Sequence, residues 1–220
     1  GLNKIESDAD VFKAFIFANK VMAKQRSHSE AIEKKISPDN VQSFWRPFQI
    51  AFFLQNIEGI VNPNSNDRKI ADLLWFPTGG GKTEAYLGLA AFTIGYRRLS
   101  NIEGYRTDAG VSVIMRYTLR LLTIQQFQRA TAMICACEEL RKESPETWGE
   151  NRFRIGLWVG DSSVPNSYDD AKKVISAREE AIKNNNNDSY SSNIKGTPVQ
   201  LVSCPWCGTK LVDKDNPNVF

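Results

Sequence analysis

Residues 76–83 read Phe76-Pro77-Thr78-Gly79-Gly80-Gly81-Lys82-Thr83, and this string has the chemistry of a phosphate cradle. Three consecutive glycines let the backbone approach phosphate oxygens and aim N–H groups at them, and a helix N-terminus just beyond adds a favourable dipole for anions. Lys82 is placed to reach β- and γ-phosphates, and the Thr83 hydroxyl to coordinate Mg²⁺. Pro77, Thr78 and Glu84 complete the candidate nucleotide-contacting set. The strict phosphate-loop pattern has glycine where Phe76 stands, so the loop is a variant.

A second constellation, Cys204-Pro205-Trp206-Cys207-Gly208, has the spacing of a zinc knuckle, in which two thiolates of a tight turn bind one Zn²⁺. Zinc takes four ligands, so Cys204 and Cys207 make half a site, and a second C-x-x-C is expected beyond Phe220. A redox pair or a simple turn is the alternative for these two thiols. Cys135 and Cys137 sit two apart in an expected helix, where they point to nearly opposite sides. They read as core thiols rather than metal ligands.

These residues need elements to hold them. The apolar runs 70–76, 111–116 and 155–159 read as strands, of the kind buried on both faces of a parallel sheet. Helical periodicity covers 82–99, 121–141 and 168–183. Strands alternating with helices predict an α/β fold with right-handed crossovers: a RecA-like P-loop sheet flanked by helices. Upstream, apolar spacing from Asp8 to Arg26 predicts a helix capped by Ser7 or Asp8, and Pro47 suits the first turn of another that starts near Arg46. The stretch 60–69 is polar and turn-forming. The Asn-rich run 184–193 reads as a low-complexity linker. The expected organisation is an N-terminal helical segment (1–40), an incomplete P-loop domain (41–183), a linker (184–196) and a partial zinc ribbon (197–220).

Taken together, these strings resemble superfamily 2 helicases. In that family the first glycine of motif I is often replaced, as in PTGGGKT. Arg46-Pro47-Phe48-Gln49 resembles the R-P-aromatic-Q element upstream of motif I, which implies that Gln49 reads the adenine edge, with Arg46 beside it. Tyr117-Thr118-Leu119-Arg120 resembles motif Ia, which implies that Thr118 and Arg120 hold the backbone of one nucleic-acid strand, with Gln125 trailing; Arg116 and Arg129 could widen the basic track. The segment IGLWVGD resembles the glycine-bearing region after motif Ia in preference to a Walker B strand ending at Asp161. A motif II acidic box and an arginine-finger segment are both absent from these 220 residues, so the chain is expected to be incomplete for turnover.

FPTGGGKTEAYLGLAAF, MRYTLRLLTIQQFQRA, WRPFQ and CPWCG, in the span from Phe44 to Gly208, further resemble the large helicase of the DISARM anti-phage systems. That resemblance implies an ATP-dependent DNA helicase or translocase, single-stranded DNA as its track, a zinc-ribbon insertion, and a DrmB-like, DUF1998-type partner protein.

Composition bounds these readings. The 220 residues carry 28 Lys+Arg against 25 Asp+Glu, a formal net charge of +3. That is too even for a protein that holds polyanions by bulk charge, so any nucleic-acid contact must be local. No apolar run reaches the length of a membrane span and the first residues have no signal-peptide layout, which predicts a cytoplasmic protein without a membrane partner. Two rival readings remain open on the sequence: a nucleic-acid-binding scaffold with a vestigial phosphate loop, and a different P-loop NTPase indifferent to DNA.

Overall fold

The computed structural model describes residues 1–77, 79–100, 106–117, 120–160, 163–183 and 196–211. The chain divides into two compact units, Gly1–Ile155 and Gly156–Phe220.

The first unit is built around α2 (Ala9–Lys34), preceded by α1 (Leu2–Ser7). Asp8 starts α2 by accepting from the backbone N–H groups of Asp10 and Val11 at 2.9 and 3.1 Å, satisfying two of the donors that every helix start leaves open. Val11, Ala14, Phe17, Ala18 and Val21 form its buried stripe. Against α2 pack α4 (Lys82–Leu99) and α5 (Arg120–Glu143), while α3 (Pro47–Val61) packs on α4. The short α6 (Pro145–Trp148) follows α5. Burial of Phe53 and Ile57 from α3, Leu87, Ala91 and Phe92 from α4, and Ala132, Ala136, Cys137 and Leu140 from α5 completes the core.

Aromatic rings bind these helices together. Phe53 meets Phe15 at 5.4 Å, Trp45 at 5.9 Å and Phe92 at 5.7 Å between ring centroids, and Phe17 meets Trp148 at 4.2 Å. Two glycines on α4 make the close approach feasible: a Cβ on Gly88 would lie 2.5 Å from the Trp45 ring, and one on Gly95 would lie 2.7 Å from the Phe17 ring. The backbone of α4 is the floor on which both rings rest.

The expected α/β sheet is corrected by the structure. Among the described residues every regular element is helical, and β pairing is limited to one isolated antiparallel bridge between Ser203 and Lys210. The segments 70–76, 111–116 and 155–159 are neither helical nor paired. Their large side chains lie open to solvent, with Leu73 85%, Trp75 88%, Ile114 86% and Trp158 99% exposed. The reason is that an apolar run with β propensity is a local property, whereas a strand exists only through a partner that takes its N–H and C=O groups. Here segment 111–117 is held instead by a helix side chain: Arg97 on α4 donates to the carbonyls of Val111 and Ala109 at 2.7 and 2.6 Å.

The helices follow the sequence closely. Helix α4 spans the residues expected, α7 (Tyr168–Lys183) likewise, α5 begins one residue early, and α2 runs eight residues past Arg26. In the second unit, the Ser163 carbonyl accepts from the Thr197 N–H and from Gln200 Nε2, both at 3.0 Å, which fixes the stretch leading into the Cys204–Cys207 turn. No helix among the described residues is long and apolar enough to cross a membrane.

Candidate functional site

The glycine loop enters α4 through Gly81, a left-handed N-cap residue with φ +92° that supplies no side-chain cap. Gly79 is also left-handed, with φ +78°, and a Cβ there would meet nothing within 4 Å. Left-handed glycines ahead of an uncapped helix leave first-turn N–H groups directed at whatever lies beyond the N-terminus, the arrangement that suits an anion. Lys82 folds back over the loop, its Nζ donating to the Phe76 carbonyl and, at 3.3 Å, to that of Pro77. Thr83 occupies the second helical position. Thr78 lies outside the described residues.

Residues 46–49 grip this loop. Pro47 opens α3, and Gln49 Oε1 accepts from the Arg46 backbone N–H at 2.8 Å, closing the first turn. Gln49 is buried, and its Nε2 donates to the Gly81 carbonyl at 2.7 Å. Arg46 Nη1 donates to the Gly80 carbonyl at 2.6 Å. Phe48 stacks on Phe76, with centroids 3.7 Å apart and planes inclined by 15°. Phe76 thus supplies a ring where a stricter phosphate loop would have a glycine, and that ring anchors the loop to α3. Gly80 cannot be replaced without displacement, because a Cβ there would lie 2.8 Å from the Phe76 ring and 2.9 Å from the Pro77 carbonyl oxygen.

The residues expected to contact nucleotide therefore converge: Arg46, Gln49, Pro77, Gly79 to Thr83 and Glu84 share one end of α4. The donor set fits a triphosphate, with one ammonium and one guanidinium beside a glycine loop at an uncapped helix start. The buried Gln49 carboxamide spends one donor and one acceptor on the loop's own frame, a role its sequence position alone did not reveal.

The expected nucleic-acid residues are brought together less fully. Arg116 is exposed on segment 111–117 and Gln125 is exposed on α5. Arg120 is the first residue of α5, and Thr118 lies outside the described residues, as does Asp161. Tyr117 is half-buried, and desolvation pushes its phenol above the usual range. Arg129, read from the sequence as able to widen the basic track, is paired with Glu84 of α4. No local pattern joins two residues 45 positions apart, so sequence periodicity could not have found this pair.

In the second unit, Cys204 and Cys207 lie on the turn closed by the Ser203–Lys210 bridge. The Cys204 N–H donates to the Thr209 carbonyl and the Gly208 N–H to the Cys204 carbonyl, both at 2.8 Å, while Gly208 takes a left-handed φ of +74°. Cys207 Sγ lies 3.2 Å from Thr209 Oγ1. Hydrogen bonding from the Thr209 side chain and backbone holds the Cys207 thiol below its ordinary range, which favours the thiolate that a metal requires. The pair fits half of a tetrahedral zinc site; no cluster of three or more His, Cys, Asp or Glu residues occurs among the described residues. Cys137 is fully enclosed in the core, and burial pushes its thiol well up.

No family model matches the chain. Among curated proteins, DISARM protein DrmA of Bacillus paralicheniformis is 44% identical over 217 residues, an alignment covering 93% of this chain. The two are homologues. The chain spans 18% of the length of that DrmA.

Proposed function

We propose that the chain is the nucleotide-binding part of an ATP-dependent DNA helicase or translocase of superfamily 2 that serves bacterial anti-phage defence. The observation that carries this reading is the clamp itself: Arg46 and Gln49 donate to the carbonyls of Gly80 and Gly81, which fixes the glycine loop at the uncapped N-terminus of α4, a place that favours a ligand's phosphates. Homology to DrmA supports the defence setting.

In this reading Lys82 neutralises the β- and γ-phosphates, the first turn of α4 donates backbone hydrogen bonds to them, and Arg46 adds a second cation. The Thr83 hydroxyl would hold Mg²⁺, which would supply charge neutralisation at the phosphates. Gln49 keeps the loop in its left-handed geometry and lies beside the base. Thr118 and Arg120, with Arg116 and Gln125, hold the sugar–phosphate backbone of single-stranded DNA, a contact that positions without reading sequence. Cys204 and Cys207 supply two ligands to a structural Zn²⁺. A DrmB-like, DUF1998-type protein is the partner, and the cytoplasm is the compartment.

The test is ATP hydrolysis by the longest native chain containing these residues, with and without single-stranded DNA, for wild type and Lys82→Ala. Turnover stimulated by DNA and lost in Lys82→Ala is expected. Turnover indifferent to DNA would assign another NTPase class, and DNA binding without any turnover would assign a scaffold.

A further inference from the structure

The first turn of α4 contains an anion as well as the phosphate-binding groups. Glu84 is three residues past the N-cap, and its Oε2 lies 3.3 Å from where a Cβ on Gly81 would be. The carboxylate thus lies close to Gly81, at the phosphate-binding end of α4. Its other oxygen, Oε1, accepts from Arg129 Nη2. Both side chains are partly buried, so solvent screens the pair less than it screens surface ions.

Arg129 therefore has two connections. Through Glu84 it meets the glycine loop, and along α5 it is nine residues from Arg120, about 13 Å at 1.5 Å per residue. Its charge also acts on Tyr117, which precedes α5 in the chain.

A bare carboxylate at that place would repel a triphosphate and compete with it for the helix dipole. Arg129 cancels that charge, and it does so from the helix whose start is the proposed DNA contact. Resting on the nucleotide reading above, we propose that Arg129 is a positioning residue that couples α5 to the phosphate loop, so that DNA held at the start of α5 sets how completely Glu84 is neutralised and hence how tightly MgATP binds.

The signs expected from the two halves of the pair differ. Arg129→Gln leaves Glu84 uncompensated and weakens MgATP binding about three- to tenfold. Glu84→Gln removes the repulsion, so MgATP affinity rises. Both variants lose the link, so both lose the tightening of MgATP by DNA, for which a coupling between sites is typically about 5- to 150-fold. A merely structural ion pair would move both variants in the same direction.

MgATP affinity is measured by equilibrium titration of the longest native chain containing these residues, with and without a single-stranded oligonucleotide, for wild type, Arg129→Gln, Glu84→Gln and the double variant. Opposite signs for the single variants, with DNA response lost in both and MgATP affinity recovered in the double variant, are the expected result. Arg129→Gln that keeps wild-type affinity and response overturns the coupling alone, as do two single variants that weaken equally. Wild-type protein that binds no MgATP overturns the nucleotide reading and this inference with it.

Discussion

Gln49 Nε2 donates to the Gly81 carbonyl oxygen at 2.7 Å while Gln49 Oε1 accepts from the Arg46 N–H at 2.8 Å, so one buried carboxamide joins the first turn of α3 to the residue that caps α4. Two backbone polar groups depend on this side chain. The Phe48–Phe76 stack and the Arg46–Gly80 bond hold the same loop from either side.

Gln49→Ala leaves the Gly81 carbonyl and the Arg46 N–H without that partner, a cost of about 1–3 kcal/mol for a buried polar group. Part of that cost is stability and part is loop order. The expected outcome is a lower Tm together with MgATP binding weakened about tenfold or more, read by thermal denaturation and titration calorimetry. Wild-type MgATP affinity in Gln49→Ala would show that the loop holds its shape without the clamp.

Gly88→Ala ought to stabilise an isolated helix by about 1 kcal/mol. In this protein it destabilises, because the new Cβ would lie 2.5 Å from Trp45 Cη2, and the indole cannot swing away while its Nε1 donates to Asn19 Oδ1 at 2.7 Å. Overpacking of this kind costs about 1–3 kcal/mol. The net effect is a Tm lowered by roughly 2–8 °C; a raised Tm would mean that the ring has room to move.

Cys137 gives the fold a pH dependence. Its thiol is held up by burial in the native state, so above about pH 8.5, the ordinary thiol range, the unfolded chain has released a proton that the folded chain keeps. Fewer protons on the unfolded state means that stability falls as pH rises, by about 1.4 kcal/mol per unit in that window. Below it the contribution is fully present. Urea unfolding between pH 7 and 10 checks this: Cys137→Ala should flatten the alkaline slope, and an unchanged slope would assign it to other groups.

The cysteine turn predicts metal. Elemental analysis of the longest native chain containing Cys204 and Cys207 should find about one zinc per four-ligand site, and Cys204→Ser should lower that content. Wild-type protein without zinc, whose two thiols oxidise to one another, would support the redox alternative.

The fold and the site were legible in the sequence to different degrees. Helices α4 and α7 could be read from periodicity because their apolar stripes are local, and Asp8 and Pro47 marked two helix starts by chemistry that acts within one turn. The segments around Leu73, Ile114 and Trp158 show the limit of that reasoning, since composition suggested strands and no ladder among the described residues accepts them. At the site, glycines 79–81, Lys82 and Thr83 announced themselves through spacing. The pairing of Glu84 with Arg129, the Phe48–Phe76 stack and the double use of Gln49 are products of packing between helices far apart in the chain, which no local pattern encodes.

The central claim is that the loop at the start of α4 binds a nucleotide through its phosphates. Its most direct test is equilibrium binding of MgATP to the longest native chain containing these residues, for wild type and for Lys82→Ala, with circular dichroism to confirm that both are folded. Saturable binding by wild type that disappears in folded Lys82→Ala is the predicted result; equal MgATP affinity in the two proteins would contradict it.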